Sequence, residues 1–325
     1  MSKIFIHLGA HKTATTFVQR NLMANADIFE KQGWKLIWFQ VDLKKARKVF
    51  VKFRGNAKLK PNQKRLLDDT FESIRNDPSD ILLTYEGFLG SSSMKQGRLY
   101  ANHALPIKML KDAFSGRDIK IGFCIRNFPD HIESSYNYRV SVGQANVSFA
   151  KYVQKVSVQK LSWLKIIENL STTFGAENLV LWTYEDFKKD GVVAFSKIVQ
   201  AAGIDTTDIA AVLTAPQLVS LNAQLVRLLK RWHDAARDEL DISPQQARLL
   251  RGKLHAILEE LPRPAKTEGH FGPKRRKLYT EHYEHEVALI RERWGDQMLN
   301  FGPGSASDHS AIEENAQTAA ALQAP

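Results

Sequence analysis

Residues 3–16 read Lys3-Ile4-Phe5-Ile6-His7-Leu8-Gly9-Ala10-His11-Lys12-Thr13-Ala14-Thr15-Thr16. The apolar, β-rich run Lys3–Leu8 predicts a strand. Thr15–Gln32 carries helical spacing, with Phe17, Leu22, Ala26 and Phe29 on one face and Gly33 placed to stop it. The loop between them therefore opens a helix directly from a strand. A helix N-terminus presents free backbone N–H groups at the positive end of its dipole, which makes it a ready anion site. Gly9 permits the tight turn, Lys12 adds a full positive charge, and Thr13, Thr15 and Thr16 add hydroxyls. The nucleotide-hydrolase pattern places Gly directly before the Lys. Here His11 stands there, and the spacing is Gly9-x-x-Lys12. A plain strand-to-helix turn with threonine caps would account for the hydroxyls, but not for the lysine set among them.

Further strands are predicted at Trp34–Phe39, Asp80–Tyr85, Ile119–Ile125 and Asn178–Thr183. They alternate with helical stretches at Leu66–Arg75 and from about Pro129, since Pro suits a first helical turn. Short strands alternating with helices predict an α/β fold, a parallel sheet flanked by helices on both faces, like that of P-loop nucleotide hydrolases. From Phe187 the pattern is helical: Val192–Ala202, Ser220–Leu240 and Ser243–Leu261. A Pro/Lys-rich connector, Pro262–Arg276, then leads to a last helix at about Leu278–Trp294. We expect one α/β domain over residues 1–302, with helical insertions. Residues 303–325, without an aromatic, Lys or Arg, are expected to be a disordered tail.

Composition narrows the class. The chain has 325 residues, 43% hydrophobic and 25% charged, which supports a sizeable core and excludes collagen-like, disulfide-scaffold and mostly disordered chains. A single cysteine, Cys124, forms no internal disulfide. No apolar run reaches bilayer length, and Met1–Leu8 is too short and interrupted for a signal peptide. The expectation is a soluble cytoplasmic protein without a membrane span. The net charge is +11, and Lys44, Lys45, Arg47, Lys48, Lys52, Arg54, Lys58, Lys60, Lys64 and Arg65 lie in a stretch with no Asp or Glu. Such a block attracts polyanions. Composition alone favours the plainer reading, a solvated and poorly ordered loop.

The segment Ile6–Thr16 resembles the 5′-phosphosulfate-binding loop of sulfotransferases, which use 3′-phosphoadenosine 5′-phosphosulfate (PAPS) as sulfuryl donor. The likeness is closest to bacterial forms with His-Lys-Thr-Gly-Thr-Thr. Ala14 replaces their Gly, a change the loop tolerates if φ there is negative. A second motif agrees. The strand at Ile119–Ile125 runs into Arg126-Asn127-Phe128-Pro129, with Ser134 eight residues after Arg126. The family places an Arg and a Ser at this spacing on the donor's 3′-phosphate, and Asn127 replaces its commoner Asp. Leu179–Phe187 resembles the family's late strand and turn, and Phe271-Gly272-Pro273 with the helix through Tyr283 and Ile290 resembles its C-terminal helix. The resemblance covers about residues 3–295 and leaves 40–75 unmatched.

It implies donor binding by Gly9, Lys12, Thr13, Ala14, Thr15, Thr16, Arg126 and Ser134, with Lys12 neutralising the leaving phosphate. No metal is required, and no cluster has metal-ligand spacing. A hydroxyl acceptor also needs a general base. Glu86, just past the third strand, fits the carboxyl edge of an open sheet. It equally suits a structural carboxylate paired with Lys12. His11, Asp42 and His103 are the other candidates, and His7 reads as a strand residue under the loop. Tyr136, Tyr138, Tyr152 and Trp163 could line an acceptor pocket, but aromatics at helical spacing are more often core, and none of the four is singled out.

The leading expectation is a PAPS-dependent sulfotransferase acting on a hydroxyl or amine of a small molecule or glycan, a carbohydrate first of all and an anionic one if the basic block takes part. No specific nucleic acid partner is expected, and the pattern implies no oligomeric state. Two other readings stand beside it. One is a P-loop kinase or nucleotide hydrolase, with Glu86 as its metal-binding carboxylate. The other is a polyanion-binding protein that works through residues 44–65.

Overall fold

The structure is a computed structural model that describes residues 2–53, 58–92, 94–144, 147–209, 223–239, 242–260 and 269–301. Five strands, β1 (Lys3–His7), β2 (Trp34–Trp38), β3 (Asp80–Thr84), β4 (Asp118–Ile125) and β5 (Leu179–Thr183), form one sheet in the order β2-β3-β1-β4-β5. Every pairing is parallel. Parallel neighbours need helical crossovers. α1 (Thr15–Ala24) and α2 (Ala26–Lys31) join β1 to β2, and α3 (Phe39–Asp42), α4 (Lys44–Phe53) and α5 (Pro61–Arg75) join β2 to β3. α6 (Ala104–Ala113) precedes β4, and α7 (Phe128–Ser141), α8 (Phe149–Tyr152) and α9 (Leu164–Phe174) lie between β4 and β5. After β5 come α10 (Tyr184–Phe187), α11 (Gly191–Ala202), α12 (Ala223–Asp238), α13 (Pro244–Glu260) and α14 (Pro273–Trp294).

Alternate residues of each strand feed opposite faces, so both faces are apolar. Ile4, Ile6, Leu83, Ile121 and Phe123 pack under α5, α6, α7, α9 and α14, whereas Phe5, Leu82, Cys124 and Trp182 pack under α1, α2 and α11. The helix expected over 15–32 breaks at Asn25, whose side-chain amide donates to the Asn21 carbonyl at 2.8 Å and competes with helical bonding there. Phe39 opens α3 instead of ending β2, because its ring turns into a cluster with Phe50, Phe71, Tyr85 and Phe88.

The described parts of the basic stretch are mostly helix and not loop. Ala46, Val49 and Phe50 recur at helical spacing and are buried, so residues 44–53 fold as α4 against the core, and α5 starts at Pro61. Arg54 and the expected tail at 303–325 lie outside the described residues. The last helix begins at Pro273, inside the stretch expected to be a connector, because Pro at its first turn starts it. Among the described residues no helix is long and apolar enough to cross a membrane.

One side chain ties the amino edge of the sheet together. Arg117, 7% exposed, precedes β4. Its guanidinium donates to the carbonyls of Ile74 (3.0 Å), Arg75 (3.1 Å), Asp77 (2.9 Å), Lys3 (3.1 Å) and Ser79. It thereby satisfies the open carbonyls at the end of α5 and fixes the approach to β3 beside β1. Arg117→Met should lower unfolding free energy by about 2–4 kcal/mol, because several carbonyls lose a charged donor at once. Urea denaturation checks this, and a change under ~0.5 kcal/mol would deny Arg117 that role.

Candidate anion and donor site

The loop after β1 lies at the carboxyl edge of the sheet, where the strand order reverses around β1, the usual ligand crevice of such sheets. Its shape comes from three left-handed residues, Gly9 (φ 50°), Lys12 (φ 68°) and Ala14 (φ 60°). At Gly9 both conformation and space demand glycine: a Cβ would lie 2.5 Å from Thr15 Cγ2 and 3.3 Å from His7 Nε2. Ala14 is the residue before α1, and its φ is positive. The condition under which Ala was expected to replace Gly freely is therefore not met. The loop holds an L-residue where the similar bacterial loops hold glycine, at a cost of about 1–2 kcal/mol.

The loop is pinned from several sides. The Thr13 hydroxyl donates to the Ala10 carbonyl at 2.6 Å, so it braces the loop and does not stand free as a donor. The His11 backbone N–H donates to the Tyr100 hydroxyl at 2.8 Å, and His11 Nδ1 lies 3.1 Å from the same oxygen. Arg126, one residue past β4, donates from Nη1 to the Lys12 carbonyl. Its own carbonyl accepts the indole N–H of Trp163 at 2.8 Å, and its guanidinium lies 4.2 Å from the Tyr184 ring centre. The loop and the second motif, far apart in sequence, are thus joined directly. α1 carries no side-chain N-cap, so its first amides are left to the loop's concavity.

Electrostatics follow from this crowding. The Lys12 ammonium sits 4.7 Å from the Tyr138 ring centre. Burial and the nearby Arg126 push its pKa down, and Glu86 pushes it back up. Glu86 follows β3 and accepts a hydrogen bond from the buried Gln19 amide of α1 at 3.0 Å. Gln19 also reaches Thr84, which contacts the buried His7. Burial lowers His7 to about 4, in keeping with a neutral strand residue under the loop. His131 on α7 is fully buried beneath Tyr100 and Trp163 and has no partner for either ring nitrogen among the described residues. Burial, then Arg126, His11 and Lys12, hold its pKa well below the usual value. The Arg126 Nε is likewise buried without a partner.

The structure brings together Gly9, His11, Lys12, Thr13, Ala14, Thr15, Arg126 and, through its field on Lys12, Glu86. Thr16 is half-buried in the first turn of α1. Ser134 is buried within α7 and makes no bond to Arg126. Two of the candidate bases have local duties: Asp42 accepts the Trp38 N–H at 2.7 Å at the start of α3, and His103 Nδ1 bonds the Tyr100 carbonyl at 2.9 Å. Trp163, Tyr136 and Tyr152 are buried core residues: Trp163 stacks on Phe128 of α7, and Tyr136 of α7 packs against Tyr152 of α8. Tyr138, 49% exposed, is the one of the four open beside Lys12. Gln19, Tyr100, Tyr184 and Glu185 escaped the sequence reading as site residues. Glu185 accepts the Asn127 N–H at 3.0 Å and the Tyr283 hydroxyl at 2.6 Å, which anchors the turn after Arg126 to α14.

Comparison with known proteins agrees with the resemblance. The sulfotransferase domain family matches residues 2–232, and the chain belongs to that family. A 3-beta-hydroxysteroid sulfotransferase of Cavia porcellus is 26% identical over 132 residues, which span 39% of this chain and 46% of that enzyme. Among solved structures, a sulfotransferase from Alicyclobacillus acidocaldarius aligns with TM-score 0.43 and 14% identity over 81% of this chain and 98% of its own. A mouse sulfotransferase complexed with PAP aligns with TM-score 0.42 and 14% identity over 98% of this chain and 89% of its own.

Ala14→Gly should raise stability by about 1 kcal/mol, because relief of the left-handed strain exceeds the extra entropy of the unfolded chain. Thermal or urea unfolding measures it. A loss of stability would mean that Ala14 does not hold a positive φ.

Proposed function

We propose that the protein moves a sulfuryl group from PAPS to a hydroxyl or amine of an acceptor, a carbohydrate in the first instance. The observation that carries this reading is the junction of two anion-binding elements: the left-handed loop opening the uncapped α1, clasped by Arg126 through the Lys12 carbonyl. The buried, unpartnered Arg126 Nε at the same place fits a ligand that brings its own acceptor atoms. PAPS, when bound, supplies an activated sulfuryl group and a phosphate leaving group.

In this reading the loop amides and Lys12 hold the 5′-phosphosulfate end. The Lys12 ammonium stabilises negative charge on the departing phosphate oxygen, the kind of preorganised electrostatics that dominates group transfer. Arg126 and Ser134 hold the 3′-phosphate. Glu86, oriented by Gln19 and facing the field of Lys12, takes the proton of the attacking hydroxyl, a role worth ~10²–10⁴-fold. His11 is tied through Nδ1 to Tyr100, a bond that suits it to shaping the loop more than to moving protons. No step calls for a metal, and the acceptor enters beside Tyr138.

The test joins kinetics to stability. Lys12→Ala should keep its melting temperature while transfer from labelled PAPS falls by about 10²-fold or more. Wild type should bind adenosine 3′,5′-bisphosphate about tenfold or more tighter than 5′-AMP, and Arg126→Ala should erase that preference, since a hydrogen bond to a charged group is worth ~1.5–3 kcal/mol. Equal affinity for both nucleotides in the wild type would contradict the proposal.

A further inference from the structure

The basic stretch divides into two unlike parts. On α5 the cations have partners: Lys64 pairs with Asp68 at 2.7 Å and Arg65 with Asp69 at 3.7 Å. On α4 they have none among the described residues. Lys44, Lys45, Lys48 and Lys52 are all exposed, the helix contains no acid, and no carboxylate among the described residues is within ion-pair distance of them. Lys44, Lys48 and Lys52 recur every four residues, so they line one side of α4 at steps of about 6 Å, spanning about 12 Å. Like charges at that spacing repel, and lysines in a first turn oppose the helix dipole. The ladder therefore costs the isolated helix stability.

The position of α4 is fixed. Phe50, on its buried side, packs 5.4 Å from Phe88 and 5.9 Å from Phe39, and Phe39 lies 5.4 Å from Tyr85. Tyr85 and Phe88 flank Glu86 in sequence at the carboxyl end of β3. The core thus seats the lysine-bearing helix beside the edge where the candidate site opens, with the ladder turned away from Phe50.

We infer that the Lys44–Lys45–Lys48–Lys52 face of α4 binds an extended anionic oligosaccharide, the acceptor for the site at Lys12 and Glu86. The inference rests on the sulfuryl-transfer reading and adds to it the chemical class of the acceptor. Several uncompensated charges over about 12 Å suit a chain of repeated carboxylates or sulfates better than a small phenol or alcohol. The face offers lysines and Val51 but no exposed aromatic, whereas single-stranded nucleic acid is held by aromatic stacking as well as charge. An acidic glycan also carries free hydroxyls along its length for the transfer.

The experiment uses the full chain and a heparin oligosaccharide as probe, followed by fluorescence anisotropy at low and high salt, with an oligonucleotide of equal formal charge alongside. The variant K44Q/K45Q/K48Q/K52Q should lose about tenfold or more in oligosaccharide affinity at low salt, the combined effect of four exposed ion pairs. K64Q/R65Q, which removes the paired charges of α5, should change it by less than about threefold. Both differences should shrink as salt rises. Equal losses in the two variants, an unchanged α4 variant, or tighter binding of the oligonucleotide would each overturn the inference. Titration with adenosine 3′,5′-bisphosphate reads the donor site separately. If that nucleotide fails to bind while the oligosaccharide does, the sulfuryl-transfer reading fails and the polyanion surface stands.

Discussion

The bond from Arg126 to the Lys12 carbonyl makes one site out of two strand ends. Lys12 offers that carbonyl from a left-handed backbone (φ 68°), in a turn that begins at Gly9, where a Cβ would collide with Thr15. A loop with two non-glycine residues in the left-handed region stores strain and persists only where its surroundings over-determine it. Here Tyr100 holds His11, Thr13 holds Ala10, and Trp163 holds the Arg126 carbonyl from behind. The parallel sheet supplies the frame: β1 sits between β3 and β4, so their carboxyl ends deliver the loop, Glu86 and Arg126 to one edge.

That convergence gathers positive charge in a poorly hydrated place. Burial and the field of Arg126 lower the Lys12 pKa, and His131 beneath them stays neutral because burial, first of all, and their fields oppose its protonation. Glu86 and Glu185 are the local counterweights, each fixed by a neutral donor, Gln19 and Tyr283 respectively. A site so arranged is short of negative charge until a ligand brings it, which is the electrostatic condition for holding a doubly phosphorylated nucleotide.

Much of this was legible in the sequence, for physical reasons that differ from part to part. The strands showed as short apolar runs, and the loop showed because glycine, lysine and threonines at a strand–helix junction have few other uses. Arg126 was found only beside its family pattern. α4 was hidden: Ala46, Val49 and Phe50 carry the helical period, but the lysines between them outweigh it in composition. The φ of Ala14 was not readable either, since alanine prefers negative φ and only the pinned loop imposes the opposite. Gln19, Tyr100 and Trp163 reach the site through contacts 65 to 89 or 37 positions away, which local pattern does not encode. Trp163, Tyr136 and Tyr152 are core, as aromatics at helical spacing more often are, and Tyr138 alone of the four stays open.

The proposed function requires a crevice that takes a 3′-phosphorylated adenosine nucleotide in preference to a metal-bound triphosphate. Calorimetric titration of the unaltered chain with adenosine 3′,5′-bisphosphate, and in parallel with ATP plus Mg²⁺, tests it most directly. Saturable one-site binding of the bisphosphate is expected, with ATP–Mg²⁺ binding at least about tenfold more weakly because charged hydrogen bonds to the 3′-phosphate are lost. Tighter binding of ATP–Mg²⁺ would contradict it and return the loop to the kinase or nucleotide-hydrolase reading.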